Sequence, residues 1–234
     1  MAAIQQALLM LSAPTGPYTG NKLLHCSFEG TNGDTSWPDL SPFARTIIGN
    51  TDLQLSSARS KWGTTSLRMT SKDPDAIILS GTEWGRATAQ RPYSIAFWLW
   101  HTTSENFTAA PIITRWVIGS QADSIAQYSS LPYLQYGNEG FGDEMAPAIY
   151  TSGQWVYVFC GFDGTTTYLA IDGVIVYSAL RSLSAATSGT FYLGGLNASG
   201  TGTDATQMYI SDLLVLDNQC LYTAAFTPPT APHA

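Results

Sequence analysis

The stretch Trp155-Val156-Tyr157-Val158-Phe159-Cys160-Gly161-Phe162-Asp163-Gly164-Thr165-Thr166-Thr167-Tyr168-Leu169-Ala170-Ile171-Asp172-Gly173-Val174-Ile175-Val176-Tyr177 decides the fold. Its apolar runs, Trp155–Gly161, Thr166–Ile171 and Val174–Tyr177, are separated by Asp163-Gly164 and Asp172-Gly173. Asp-Gly between apolar runs marks a type I′ hairpin, because both central residues accept φ > 0. Two such turns in succession predict a three-strand antiparallel meander. Upstream, Ser94–Trp100 carries apolar groups at both parities, the pattern of a central strand covered on both faces. Leu23–Phe28, Phe191–Leu193 and Met208–Leu216 supply further strands, the first two closed by glycines. No long helical pattern follows residue 20. Many short strands with Gly- and Ser-rich turns predict an all-β protein, a sandwich or jelly roll. Gly119 to Tyr150 is less regular and reads as a long insertion loop with short strands. Pro228, Pro229 and Pro232 predict an extended tail.

Composition narrows the function. A chain of 234 residues and 25.2 kDa buries about seven-tenths of its unfolded surface, enough for a core without disulfides or metal. Charged residues make up only 12%, whereas about 25% is usual. The sequence holds 27 Thr and 23 Ser, so hydroxyls must wet the surface. A net charge of −7 excludes a nucleic-acid footprint of clustered Lys and Arg. No apolar run approaches the ~20 residues needed to span a bilayer, so no membrane partner is expected. Cys26, Cys160 and Cys220 sit in apolar, strand-like contexts without ligand spacing and read as reduced core thiols.

The first residues differ from the rest. Ile4, Ala7, Leu8 and Leu11 form a helical stripe that Pro14 and Pro17 end. No Lys or Arg precedes the apolar run, which argues against a secretion signal. So short a helix needs a surface to dock on. The expected organisation is therefore an attachment or oligomerisation segment at 1–20, a sandwich at 21–220 and a Pro-rich tail at 221–234.

Several strands together resemble a known family. Ser60-Lys61-Trp62-Gly63-Thr64-Thr65-Ser66-Leu67-Arg68, Tyr93–Leu99, Gln154–Val158 with Leu169–Val174, Phe191–Gly195 and Tyr209–Leu213 are similar to successive strands of the laminin-G-like, concanavalin A-like jelly roll. The resemblance spans most of residues 22–230 and implies a β-sandwich of two antiparallel sheets. In the last of these segments the acid, Asp212, stands one position off the family pattern. The closing Leu221-Tyr222-Thr223-Ala224-Ala225-Phe226-Thr227-Pro228-Pro229-Thr230-Ala231-Pro232 resembles the ending of such domains in bacteriophage virion proteins, and Met1–Leu9 resembles the start of phage structural chains.

Catalytic motifs are sparse. Glucanases that the family resemblance brings into view carry Glu-x-Asp-x-Glu on a strand, where period-two spacing puts three carboxylates on one face. Here the only acidic pair at i, i+2 is Asp73/Asp75, with Pro74 between them, which suits a turn. Asp172 and Glu29 could converge only from separate strands. His25 and Cys26 are strand neighbours on opposite faces and cannot pair, while His101 and His233 stand apart in sequence. No cofactor is expected, apart from calcium at the Gly-rich loop 137–144, where Glu139, Asp143 and Glu144 are candidate ligands. Asn106-Phe107-Thr108 and Asn197-Ala198-Ser199 match glycan acceptors of a secreted eukaryotic chain, which this does not resemble.

Aromatic residues offer a second chemistry, since sugars stack on exposed rings. Trp98, Trp100 and Trp155 lie in strands and read as core. Trp37, Trp84 and Trp116 lie nearer turns or edges and are the candidate glycan platforms. The resemblance implies a non-enzymatic virion structural protein on the outer surface of a phage particle, assembled in the host cytoplasm. Without fibrous repeats it suits a capsid decoration protein, held to other virion proteins and to its own copies, as a trimer, through the Ile4/Ala7/Leu8/Leu11 stripe. The alternative is a glycan-binding adhesion module of a tail or head fibre, with a host-surface glycan as partner; a glycan hydrolase is the third reading.

Overall fold

The structure, a computed structural model, describes residues 22–70, 77–84, 89–101, 110–117, 121–127, 133–139, 146–183, 188–194 and 208–233. Ile4, Ala7, Leu8 and Leu11, and with them the proposed anchor, lie outside these residues. In chain order the strands are β1 (Lys22–Cys26), β2 (Ser36–Pro38), β3 (Thr46–Ile48), β4 (Leu53–Ser56), β5 (Ser66–Met69) and β6 (Ile77–Gly81). A 3₁₀ turn, Thr82–Trp84, precedes β7 (Tyr93–His101), β8 (Ala110–Val117), β9 (Gln121–Gln127), β10 (Tyr133–Glu139) and β11 (Ala146–Ile149). The last five are β12 (Trp155–Phe162), β13 (Thr166–Ile171), β14 (Val174–Leu180), β15 (Gly189–Leu193) and β16 (Met208–Asp217).

Two antiparallel sheets make the sandwich. The larger runs β14-β13-β12-β7-β16-β5-β4, with β1 also paired to β16, and the smaller runs β11-β10-β9-β8-β15-β6. A small ribbon, β2-β3, stands apart from both. Register explains the core. Val156, Leu99, Ile210, Leu67 and Leu55 lie side by side across β12, β7, β16, β5 and β4. All five pack with Ile77, Ile113, Phe191 and Leu193 of the smaller sheet in one buried cluster. The jelly-roll β-sandwich expected from the sequence is the fold observed.

The meander forms, but its two turns differ. Asp172 (φ 49°) and Gly173 (φ 82°) are both left-handed and join the paired residues Ile171 and Val174, as a type I′ turn requires. At the first turn Gly164 is left-handed and Asp163 is not. Its carboxylate accepts the amides of Thr165 and Thr166, both at 2.8 Å, so the loop is a longer Asx turn between Phe162 and Thr167. The short strands expected within 119–150 are present and belong to a sheet. β9, β10 and β11 pair in register and extend the smaller sheet beyond β8.

The Pro-rich tail is not a free extension. Tyr222 and Phe226 stack 3.6 Å apart and pack on Phe159 and Tyr157, covering part of the outer face of the larger sheet. The Phe226 amide donates to Gly173 O at 2.9 Å, and a Cβ on Gly173 would meet Phe226 O at 1.9 Å. The second hairpin is therefore the tail's seat. Gly173→Ala combines left-handed strain with a backbone clash and should cost about 2 kcal/mol or more. Gly153→Ala, left-handed with nothing within 4 Å of its Cβ, should cost about 1 kcal/mol from strain alone. Urea denaturation of the two variants measures the difference; equal losses would mean the tail does not press on the turn.

Candidate functional site

The outer face of the larger sheet carries the most distinctive chemistry. One register step from the core row, Trp155, Trp100, Tyr209, Arg68 and Gln54 line up across the same five strands. Side chains alternate between faces along each strand, so this row points away from the sandwich interior. The Trp100 and Tyr209 rings meet edge to face at 5.5 Å, and Trp98, two residues before Trp100, meets Tyr157 at 5.2 Å.

The segment between β4 and β5 folds over this row. Arg59 lies 4.5 Å above the Trp100 ring, Lys61 Nζ 3.6 Å above Trp98, and Trp62 packs edge-on to Trp98 at 6.0 Å. Hydrogen bonds pin the segment at both ends. Ser66 Oγ donates to Arg59 O at 2.6 Å, the Thr64 amide donates to Glu29 Oε2 at 2.9 Å, and Thr65 Oγ1 donates to Phe28 O at 2.8 Å. Trp98, Trp100 and Tyr209 are buried beneath it, whereas Trp62, Trp155, Lys61 and Arg68 remain half-exposed. Burial lowers the Lys61 pKa, and the Asp172 carboxylate partly restores it. Arg68 Nε and the indole nitrogens of Trp62 and Trp98 are buried without a hydrogen-bond acceptor. The platform is thus aromatic, cationic and rich in unused donors.

A second polar cluster sits beside it. Asp212 occupies a bulge in β16 with φ 57° and is fully buried. Its Oδ2 accepts the His233 amide at 2.9 Å and lies 2.7 Å from His233 Nδ1, and its Oδ1 lies 3.5 Å from His25 Nε2. His233 Nε2 reaches the Tyr157 hydroxyl at 3.1 Å. Burial alone would raise the Asp212 pKa; His233 and His25 outweigh it and hold the carboxyl down at about 2. A carboxylate orienting an imidazole resembles general-base geometry, but all three residues are buried, and the arrangement clasps the end of the tail to the sheet.

The glycan platforms expected at Trp37 and Trp84 are core residues. Trp37 is 2% exposed and packs on Phe28, and Trp84 is 0% exposed and stacks on Phe191 at 4.9 Å. Each stands near a chain turn in sequence, yet the turn folds inward and uses the ring as its apolar plug. Trp116 lies on β8, in register with Ala122 and Thr190. Glu139 ends β10, whereas Asp143 and Glu144, with Asp73, Asp75, Asn106 and Asn197, fall outside the described residues. Glu29 and Asp172 serve separate backbone amides, those of Thr64 and Tyr157. Among the described residues no group of three or more His, Cys, Asp and Glu is placed to hold a metal ion. None of the three cysteines forms a disulfide, and Cys26 and Cys160 are buried; burial pushes the Cys220 thiol up to about 12.

Trp98 and Trp100 are buried strand residues, as the sequence leads one to expect, but on the outer side of the larger sheet, and Trp155 beside them is half-exposed. The signal for the outer row was present: a strand apolar at both parities has a second face, and what lies on it need not be interior. Trp62, in a Gly-closed loop, offered no pattern of its own.

No family model matches the sequence, and no curated protein matches it. Solved structures do resemble it. A sialidase of Trypanosoma rangeli superposes with TM-score 0.62 at 12% identity, over 87% of this chain and 31% of that one. The binding domain of botulinum neurotoxin serotype C1 gives 0.59 at 16% identity, over 84% and 48%, and the binding domain of Paraclostridial Mosquitocidal Protein 1 gives 0.59 at 14%, over 86% and 49%. Cell entry of botulinum neurotoxin type C, which is also similar, depends on two ganglioside molecules. The chain spans about a third to a half of the length of these structures. At such identities the likeness establishes the β-sandwich.

The clasp makes an acid-range prediction. Asp212 has a lower pKa folded (about 2) than its ordinary value of 3.8, so its stabilisation is complete above about pH 4 and is lost as pH falls toward 2. Asp212→Asn should lower stability at neutral pH and flatten the stability profile between pH 4 and 2. Urea midpoints across that range measure it; an unchanged acid limb would show that Asp212 does not carry the charge assigned to it.

Proposed function

We propose that this chain is a glycan-binding β-sandwich module whose contact surface is the outer face of the larger sheet. The single observation that carries the reading is the cross-strand row Trp155–Trp100–Tyr209–Arg68 with Trp62 folded against it. Sugar rings present C–H faces that stack on aromatic side chains, while hydroxyls need fixed donors around the stack. Trp62 and Trp155 supply half-exposed rings, and the half-exposed Lys61 and Arg68 supply N–H donors beside them. The shared fold with toxin binding domains, one from a toxin that engages gangliosides, agrees with this use. Binding rather than catalysis is favoured because the His25–Asp212–His233 cluster is closed by the tail it holds.

The setting we propose is the outer surface of a phage particle, on the resemblance of Leu221–Pro232 to virion chains. That stretch has an intramolecular role here, so attachment as a capsid decoration or fibre module would fall to residues 1–20. A glycan array probed with the full chain tests the binding function. Trp62→Ala should weaken capture about tenfold or more with little change in melting temperature, since the ring is half-exposed and carried by a loop. Trp84→Ala should instead destabilise the fold by about 3–5 kcal/mol. A wild-type chain that captures no glycan would refute the module.

A further inference from the structure

We infer that the sugar received at this face is acidic, its carboxylate or sulfate held by Arg68, Lys61 and Arg59; this rests on the glycan-binding reading above. The argument begins with charge. The sequence has 17 acids against ten Lys and Arg, so an unpaired cation is not forced by any shortage of carboxylates. Other cations do find partners. Arg45 bridges Asp39 and Glu83, each at 2.9 Å, Arg91 pairs with Asp217, and the Arg181 guanidinium donates to the Tyr177 hydroxyl. Lys22 feels the charge of Asp212.

Arg59, Lys61 and Arg68 make no ion pair among the described residues, and all three lie on the aromatic row. Arg59 is over Trp100, Lys61 is over Trp98, and Arg68 is in register with Tyr209, which itself pairs with Trp100. Offset only in part, by the Asp172 carboxylate at Lys61, the three like charges repel one another, and the cost grows as rings and backbone displace water around them. Arg68 adds a buried Nε–H with no acceptor. An oxyanion at the half-exposed Arg68 guanidinium supplies the missing counter-charge. A guanidinium matches a planar carboxylate with two parallel N–H donors, and an ammonium meets the same group as a point charge. Cation–π contact holds Arg59 and Lys61 in place beforehand, so less side-chain freedom is lost on binding. A neutral sugar would stack equally well on Trp62 and Trp155 but would leave the charges unanswered. A nucleic acid would meet the overall charge of −7 beyond these three residues.

Calorimetry of the full chain with 3′-sialyllactose, lactose 3′-sulfate and lactose separates the possibilities, because all three share one neutral core. At low salt at least one acidic sugar should bind about tenfold or more tightly than lactose, the gap narrowing as salt rises. Arg68→Gln should remove most of that gap by weakening the acidic sugars far more than lactose, and Trp62→Ala should weaken acidic and neutral sugars alike. Lys61→Gln serves the same purpose should Arg68→Gln fail to fold. Equal affinity for lactose, or an array on which neutral glycans are captured in preference to acidic ones, would overturn the acidic assignment and leave the module standing. A gap that survives both cation variants would overturn the residue assignment. An array silent throughout would overturn the module itself.

Discussion

The structure depends on one constraint: β7 is apolar on both sides. Every residue from Tyr93 to His101 is buried. A strand of that kind cannot sit in a sheet with one wet face, so the larger sheet must be covered twice. The smaller sheet covers the inner side, where Ile95, Phe97 and Leu99 enter the main core. Ala96, Trp98 and Trp100 face the other way, and two irregular segments answer for them. The tail brings Tyr222 and Phe226 over one part, and the β4–β5 segment brings Arg59, Lys61 and Trp62 over the rest. The first cover is apolar and complete. The second is cationic and partial, and it is the part we read as the contact surface.

The bulge in β16 reconciles the same constraint with a polar residue. Without an extra residue after Ser211, strict alternation from Ile210 would send Asp212 into the core and Leu213 out of it. The register shift between Ser211 and Leu214 restores parity, so Leu213 and Val215 join Ile210 inside and Leu214 lies opposite Ala96 on the outer side. Asp212 takes the left-handed conformation at the inserted position, an arrangement that costs free energy for a residue other than glycine. His25 and His233 give the buried carboxylate its partners, and through His233 the end of the tail is tied down. A buried charge, a strained backbone and a terminal segment are thereby made to depend on one another.

Much of this was legible in the residues. The Asp172-Gly173 turn, the two-faced strand at Ser94–Trp100 and the sandwich itself follow from local pattern, because apolar parity and left-handed turn residues are short-range signals. Other features escaped for physical reasons. Strands β9 to β11 lack strong alternation, and their assignment comes from successive pairing, β9 on β8, β10 on β9 and β11 on β10, rather than from propensity. A Pro-rich ending reads as extended whether it is free or laid on a sheet; only the aromatic faces of Tyr222 and Phe226 distinguish the two. Trp37 and Trp84 illustrate the same limit, since proximity to a turn does not say on which side of the turn the ring falls.

The central claim is that the ligand surface lies on the outer face around Trp62, Trp98, Trp100 and Trp155. Indole N–H resonances of uniformly ¹⁵N-labelled protein test it directly, because each tryptophan reports its own surroundings during titration with 3′-sialyllactose. The account predicts saturable shifts at Trp62 and Trp98, which pack together on the outer face, with Trp37 and Trp84, inside the main core, unmoved. Saturable shifts at Trp37 or Trp84 with Trp62 and Trp98 silent would contradict it.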